Sequence, residues 1–393
     1  MRDVQTSSPA LKDSDRLLTR DFTFLCLTNF FFFLTVYSLL ITLPVYAVVL
    51  GGGEGQAGYV TAAITLISFL ALPHLGRHVE RLGRTSLLRL GPALVLIEAL
   101  ALPYVGWFPV LVAIGIACGG ALACFQTGAN NLVADLAPLR RRGEAMGIYG
   151  TFTTTAVALS PAVSIFVMRN NGFPVLFAMS AAMGTAALAL AFVVREPRQH
   201  TVASAPGPLL NRMALLPAFC IFGITLTYGT LISFLPGQAA KIGMENAGLF
   251  FTAYSAASFM VRAAAGGVSD RLGRAPVIIP ALIAVAIAMF FLSQSSGLAM
   301  VLGAAVLYGL GYGSAHPAIM AFAVDRAGPE ARASAVATFY SGYNLGLAVG
   351  SLALGPILEA TSFAFMIAVA GVAPLLAAIT LYVRRSPSAI THQ

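Results

Sequence analysis

The sequence predicts an all-α membrane protein with twelve transmembrane helices in two pseudo-symmetric six-helix bundles. Three observations predict it. The 393-residue chain is 58% hydrophobic and only 10% charged, where soluble proteins carry about a quarter charged residues. Its apolar residues fall into twelve stretches. The second half of the chain repeats features of the first at one constant spacing.

The apolar content excludes a single soluble core, because there is too little polar surface to cover one. The apolar stretches lie near residues 22–49, 57–75, 86–106, 108–135, 144–168 and 172–194 in the first half. In the second half they lie near 213–237, 247–267, 275–295, 298–324, 333–358 and 362–383. Each is long enough to cross a hydrocarbon layer of about 30 Å, which takes about 20 helical residues. The polar lead before the first stretch has no short apolar core with a small-residue cleavage site, so that stretch is predicted to be a helix and not a signal peptide.

An even helix number places both termini on one side. Of the 23 lysines and arginines, 21 fall on that side, and only Arg169 and Lys241 fall opposite. The positive-inside rule then predicts cytoplasmic termini in a plasma (inner) membrane. The net charge of +8 sits in short loops and forms no continuous basic face, which argues against a nucleic-acid partner. Cys26, Cys118, Cys124 and Cys220 all fall inside predicted helices without metal-ligand spacing, and read as small packing residues.

The repeat is explicit. Gly76, Glu80, Arg81, Gly83 and Arg84 recur 190 residues later as Gly266, Asp270, Arg271, Gly273 and Arg274. The same spacing carries Asp135 onto Asp325, Arg142 onto Arg332 and Phe173 onto Phe363. Six helices separate equivalent positions, so the two copies have parallel orientation. The expected organisation is a cytoplasmic segment over 1–20, a bundle over 21–195, a Pro- and Gly-containing linker over 196–212, a second bundle over 213–385 and a tail over 386–393.

A G-x-x-x-[D/E]-R-x-G-R loop after helix 2, repeated after helix 8, resembles the signature of the major facilitator superfamily, and the resemblance spans essentially the whole chain. It implies two six-helix domains around a central cavity that opens alternately to either side. Gly76 and Gly266 are expected to allow close helix approach. Glu80 and Asp270 are anions near the start of the next helix. Arg81, Arg84, Arg271 and Arg274 suit carboxylate partners such as Asp135 and Asp325. With Arg142, Arg332, Gly83, Gly273 and Arg262, these residues make a candidate gating latch on the cytoplasmic side. The first copy has Glu80 where the family usually has Asp. Helix 4 has Gly115 where drug/proton antiporters of the family usually carry arginine. Helix 5 has Ser160 and Pro161 where they carry a Gly-Pro pair.

In the implied fold, helices 1, 4, 7 and 10 line the cavity. The candidate substrate-binding residues are therefore Asn29 and Tyr37 on helix 1, Gln126 and Asn130 on helix 4, Tyr228 and Gln238 on helix 7, and Tyr312 and His316 on helix 10. Tyr343 and Asn344 on helix 11 join them. Tyr308, Tyr312 and His316 share one helical face. Gln126 and His316 are equivalent under the repeat, each about 13 Å of helix from its aspartate at ~1.5 Å per residue. His316 is also a candidate carrier of a coupling proton. So is Glu98, the one acidic residue deep inside a predicted helix, since intramembrane charge is costly.

The cavity helices hold little fixed charge, which suits a weakly polar or amphipathic solute. The reading is a secondary active transporter for a small organic solute, most like bacterial efflux antiporters, with protons as candidate coupling ion and lipid as surroundings. An uptake symporter or facilitator stays open as the alternative. No HExxH, GxSxG or GxGD motif marks an enzyme, no GxxxxGK[ST] loop binds nucleotide, and no cofactor motif occurs. Monomer is the expectation that the resemblance implies.

Overall fold

In the computed structural model, residues 18–138, 141–195, 211–239, 244, 246–328 and 331–385 are described. Side chains at Glu80, Arg142, Gly266, Asp270, Arg271 and Arg332, all expected in the latch, lie outside the described residues. So do the first seventeen residues, most of the linker and the tail.

The first half contains α1 (Arg20–Val49), α2 (Gly58–Leu82), α3 (Arg84–Ala101) and α4 (Phe108–Leu136). The run Arg142–Val193 is broken at Gly172, whose φ of +79° is non-helical. That break divides it into α5 (142–171) and α6 (173–193). The second half contains α7 (Leu215–Gln238), α8 (Gly248–Leu272), α9 (Ala275–Ser293), α10 (Leu298–Ala327), α11 (Arg332–Leu352) and α12 (Phe363–Arg385). A short helical turn, Gly355–Ala360, follows α11. All twelve expected helices are present.

Local chemistry sets the ends. Thr19 caps α1 by accepting the Phe22 amide at 3.3 Å, as N-cap hydroxyls do. The α2–α3 and α8–α9 turns are each one residue wide or little more. They pivot on Gly83 (φ +81°) and Gly273 (φ +88°), a backbone conformation that disfavours any side chain. The second glycine of each repeated signature is thus a turn requirement.

Large apolar side chains such as Phe192, Phe259 and Phe290 are more than half exposed, and form the surface that lipid covers. Within the first half α1 packs on α5, and α2 and α3 pack on α4; in the second, α7 packs on α11, and α8 and α9 pack on α10. Small residues make the closest approaches. A Cβ on Gly119 would lie 2.4 Å from the Ile64 carbonyl oxygen, and one on Gly309 would lie 2.4 Å from that of Tyr254. Both glycines and both partners are 190 residues apart, so the repeat in sequence is a repeat in packing. The same holds for Arg84 with Asp135 and Arg274 with Asp325, which form matching ion pairs.

Candidate functional site

The two halves meet along two seams, α2 with α11 and α5 with α8. Both are tight at the end of the molecule far from the termini, here the distal face. A Cβ on Gly58 would lie 1.8 Å from the Ser351 carbonyl oxygen, and one on Gly355 would lie 2.2 Å from that of Gly55. Gln238 Nε2 donates to Glu54 Oε2 at 2.8 Å across the same region. On the other seam Ile165 Cγ2 lies 3.2 Å from a Cβ placed on Gly248, and Ser255 donates to the Ala158 carbonyl.

Toward the terminal face the seams part. Gly76 lies eighteen residues beyond Gly58 on α2. Eighteen residues make about five turns, so both glycines share one face. Gly76 is exposed, and among the described residues a Cβ on it would meet nothing within 4 Å. Gly147, eleven residues before Ala158 on α5, is likewise exposed, and among the described residues a Cβ on it would meet nothing within 4 Å. Close helix approach was expected at Gly76; among the described residues nothing packs on it. Among the described residues the halves form a wedge, closed distally and open to the terminal face.

At the apex of that wedge sits an aromatic cluster. The hydroxyls of Tyr37 on α1 and Tyr343 on α11 lie 2.8 Å apart, buried, and link the halves at mid-height. Tyr343 also accepts from Tyr312 at 3.4 Å. Tyr312 stacks on His316 with ring centres 6.0 Å apart, and touches Tyr228 and Tyr254 at 5.4 Å and 5.7 Å. The Tyr308 hydroxyl is tied to Thr227 at 2.9 Å. Tyr37, Tyr228, Tyr312, His316 and Tyr343, all expected in the cavity, are thus brought together.

Other expected residues are placed differently. Asn29 is fully buried and donates to Tyr149 O at 3.2 Å and Thr153 Oγ1 at 2.7 Å, so it fastens α1 to α5. Gln238 lies at the distal end of α7 and serves the closed seam. Gln126 is buried, and among the described residues its Oε1 has no hydrogen-bond partner; Asn344 Nδ2 is in the same position. Asn130 is half-buried near the terminal end of α4. Glu98 is buried on α3 beside the Cys118 thiol of α4, inside the first half and away from the aromatic cluster.

The described ion pairs of the signature, Arg84 with Asp135 and Arg274 with Asp325, join α3 to α4 and α9 to α10. Each pair braces its own half. Arg262, expected in the latch, instead lies half-buried with its charge bearing on Tyr254, Tyr312 and His316. The contribution of α8 was not read from the sequence. Its signal was there: Tyr254, Ser258 and Arg262 are spaced i, i+4, i+8, as Tyr308, Tyr312 and His316 are on the helix it packs against. Among the described residues no cluster of side chains could hold a metal ion.

A sequence profile described as Major Facilitator Superfamily matches residues 25–237 and 217–393. The chain is 22% identical to the staphylopine export protein of Staphylococcus aureus over 86% of this chain and 89% of that one. It is 24% identical to the quinolone resistance protein NorA of the same species over 44% of each chain. Among solved structures, the nucleoside transporter NupG superposes with a TM-score of 0.73 at 14% identity, covering 93% of this chain and 99% of that one. A D-xylose–proton symporter superposes with a TM-score of 0.75 at 17% identity, covering 92% and 96%. These two likenesses are of fold.

Proposed function

The chain belongs to the Major Facilitator Superfamily, and from that premise we propose that it exports a small organic solute by alternating access, driven by proton antiport. Members of this family are transporters that sit in the bilayer and bind small molecules. The observation that carries the reading is the wedge, closed at Gly58 and Ser351 and open at Gly76 and Gly147. A carrier needs two such states around one site. With the termini in the plasma-membrane cytoplasm, as the arginine distribution favours, the open side faces the cell interior, from which an exporter loads. The export and resistance proteins among its relatives support that direction. The protein acts as a monomer, each chain holding both halves of its site.

Glu98 and His316 are the candidate coupling groups. Everted membrane vesicles with an acidic lumen test direction and coupling together. The expected result is protonophore-sensitive accumulation of radiolabelled 1-naphthaleneacetamide, an uncharged aromatic solute that an acidic lumen does not trap by itself. Accumulation in right-side-out vesicles instead would reverse the assignment. Glu98→Gln or His316→Gln is expected to abolish pH-driven accumulation while solute counterflow continues. If both variants keep pH-driven accumulation, neither group carries the proton.

A further inference from the structure

The geometry points to an anion-binding end of the solute site at Arg262, built with Ser258, His316, Tyr254 and Tyr312, that takes an aromatic monocarboxylate. This rests on the carrier reading and names the substrate class.

Arg262 is a permanent cation well inside the helical run of α8. Its Nε is buried and, among the described residues, has no hydrogen-bond partner; the Ser258 hydroxyl one turn away is also buried and unpartnered. Among the described residues no carboxylate pairs with this guanidinium. Asp325 is engaged by Arg274, and the groups whose charge it meets are the phenols of Tyr254 and Tyr312 and the imidazole of His316. A charge at this depth without a carboxylate among the described residues is costly. An anion supplied from outside the chain would offset that cost.

The direction it faces is set by its neighbours on α8. Ser255 reaches across the seam to Ala158 of α5, and Arg262 lies two turns further on the same side. Met260, about 160° round the helix from Arg262, is 73% exposed and marks the lipid face, whose border runs through Phe259, 64% exposed and about 60° from Arg262. Arg262 therefore fronts the wedge, below the Tyr37–Tyr343 apex, and not the bilayer. Under the 190-residue repeat its counterpart is Leu72, and those of Tyr254 and Tyr312 are Ile64 and Leu122. At the equivalent places the first half thus offers apolar side chains and one neutral amide, Gln126, and the second a cation whose charge reaches Tyr254, Tyr312 and His316. A single charge with a flat apolar body fits that asymmetry: a guanidinium holds a carboxylate with two parallel hydrogen bonds, and the tyrosine rings offer stacking faces.

The test uses full-length protein in neutral maltoside micelles, titrated calorimetrically with 1-naphthaleneacetate and with its uncharged isostere 1-naphthaleneacetamide. Wild type is expected to bind the carboxylate at least about tenfold more tightly, which is the scale of one retained charge-assisted interaction. Arg262→Gln is expected to erase that preference, and an unchanged thermal unfolding profile reports that the variant is folded. Arg262→Lys is expected to keep part of the preference, because charge survives without the planar fork. Equal affinity for the two compounds in wild type, a preference that survives in Arg262→Gln, or no binding of either compound would overturn the site. So would displacement of naphthaleneacetate by added phosphatidylglycerol in wild type but not in Arg262→Gln, which would assign the arginine to a lipid headgroup. Flux in proteoliposomes separates the two claims. Solute flux without an Arg262-dependent anion preference overturns the site alone; the preference without any flux overturns the carrier reading alone.

Discussion

The Tyr37 hydroxyl lies 2.8 Å from the Tyr343 hydroxyl, and this buried contact ties α1 of one half to α11 of the other. It sits where the closed distal part of the wedge gives way to the open part. Tyr37→Phe and Tyr343→Phe each remove the same bond, worth about 1 kcal/mol. The two effects are expected to be non-additive, with a coupling of about 0.5–1.5 kcal/mol in a double-mutant cycle read by chemical unfolding. Additive costs would show that the hydroxyls do not act on each other.

Gly58 and Gly76 share one face of α2 and meet opposite surroundings. Gly58→Val is expected to hold the distal seam apart, because even a Cβ there would lie 1.8 Å from the Ser351 oxygen. A maleimide should then label Gln238→Cys several-fold faster in that background. Gly76→Val is expected to leave solute binding to the terminal-open state intact and to lower flux by about tenfold, by blocking closure of a seam that is open here. An unchanged flux would mean that this glycine never meets the other half.

The two ion pairs are equivalent by repeat and unequal by burial. Side-chain exposure is 12% and 8% for Arg84 and Asp135, and 24% and 53% for Arg274 and Asp325. Removing one partner of a buried pair costs on the order of 3 kcal/mol, whereas an exposed pair is worth about 0–1 kcal/mol. Asp135→Asn is therefore expected to lower unfolding stability far more than Asp325→Asn. Equal losses would contradict the burial argument.

Gly83→Ala and Gly273→Ala each force a side chain into a positive-φ turn. Each is expected to cost about 1–2 kcal/mol, and the double variant should lose the sum, because distant sites act independently. Thermal unfolding of the three variants checks this. A loss at one turn only would mean that the two copies of the signature no longer share a backbone.

The number and order of helices, the duplication and the equivalence of Arg84–Asp135 with Arg274–Asp325 were all legible in the chain. They depend on hydropathy and spacing, which are properties of contiguous residues. The second signature glycine was legible as a motif, but its reason, a φ near +80°, appeared only in the turn itself. The stripe of Tyr308, Tyr312 and His316 was legible from helical periodicity; its packing against Tyr254 of α8 was not.

What the tertiary structure decided is which faces meet. Asn29 and Gln238 have the composition of solute ligands, yet one fastens α1 to α5 and the other closes the distal seam. Arg262 has the position of a latch residue, yet its charge bears on Tyr312 and His316 of α10. Gly76 has the chemistry of a packing glycine, yet it is exposed and nothing among the described residues packs on it. Sequence periodicity fixes which residues share a helix face. It does not fix how two six-helix halves lean on each other, because carriers hold two such arrangements of one sequence that differ by only a few kcal/mol.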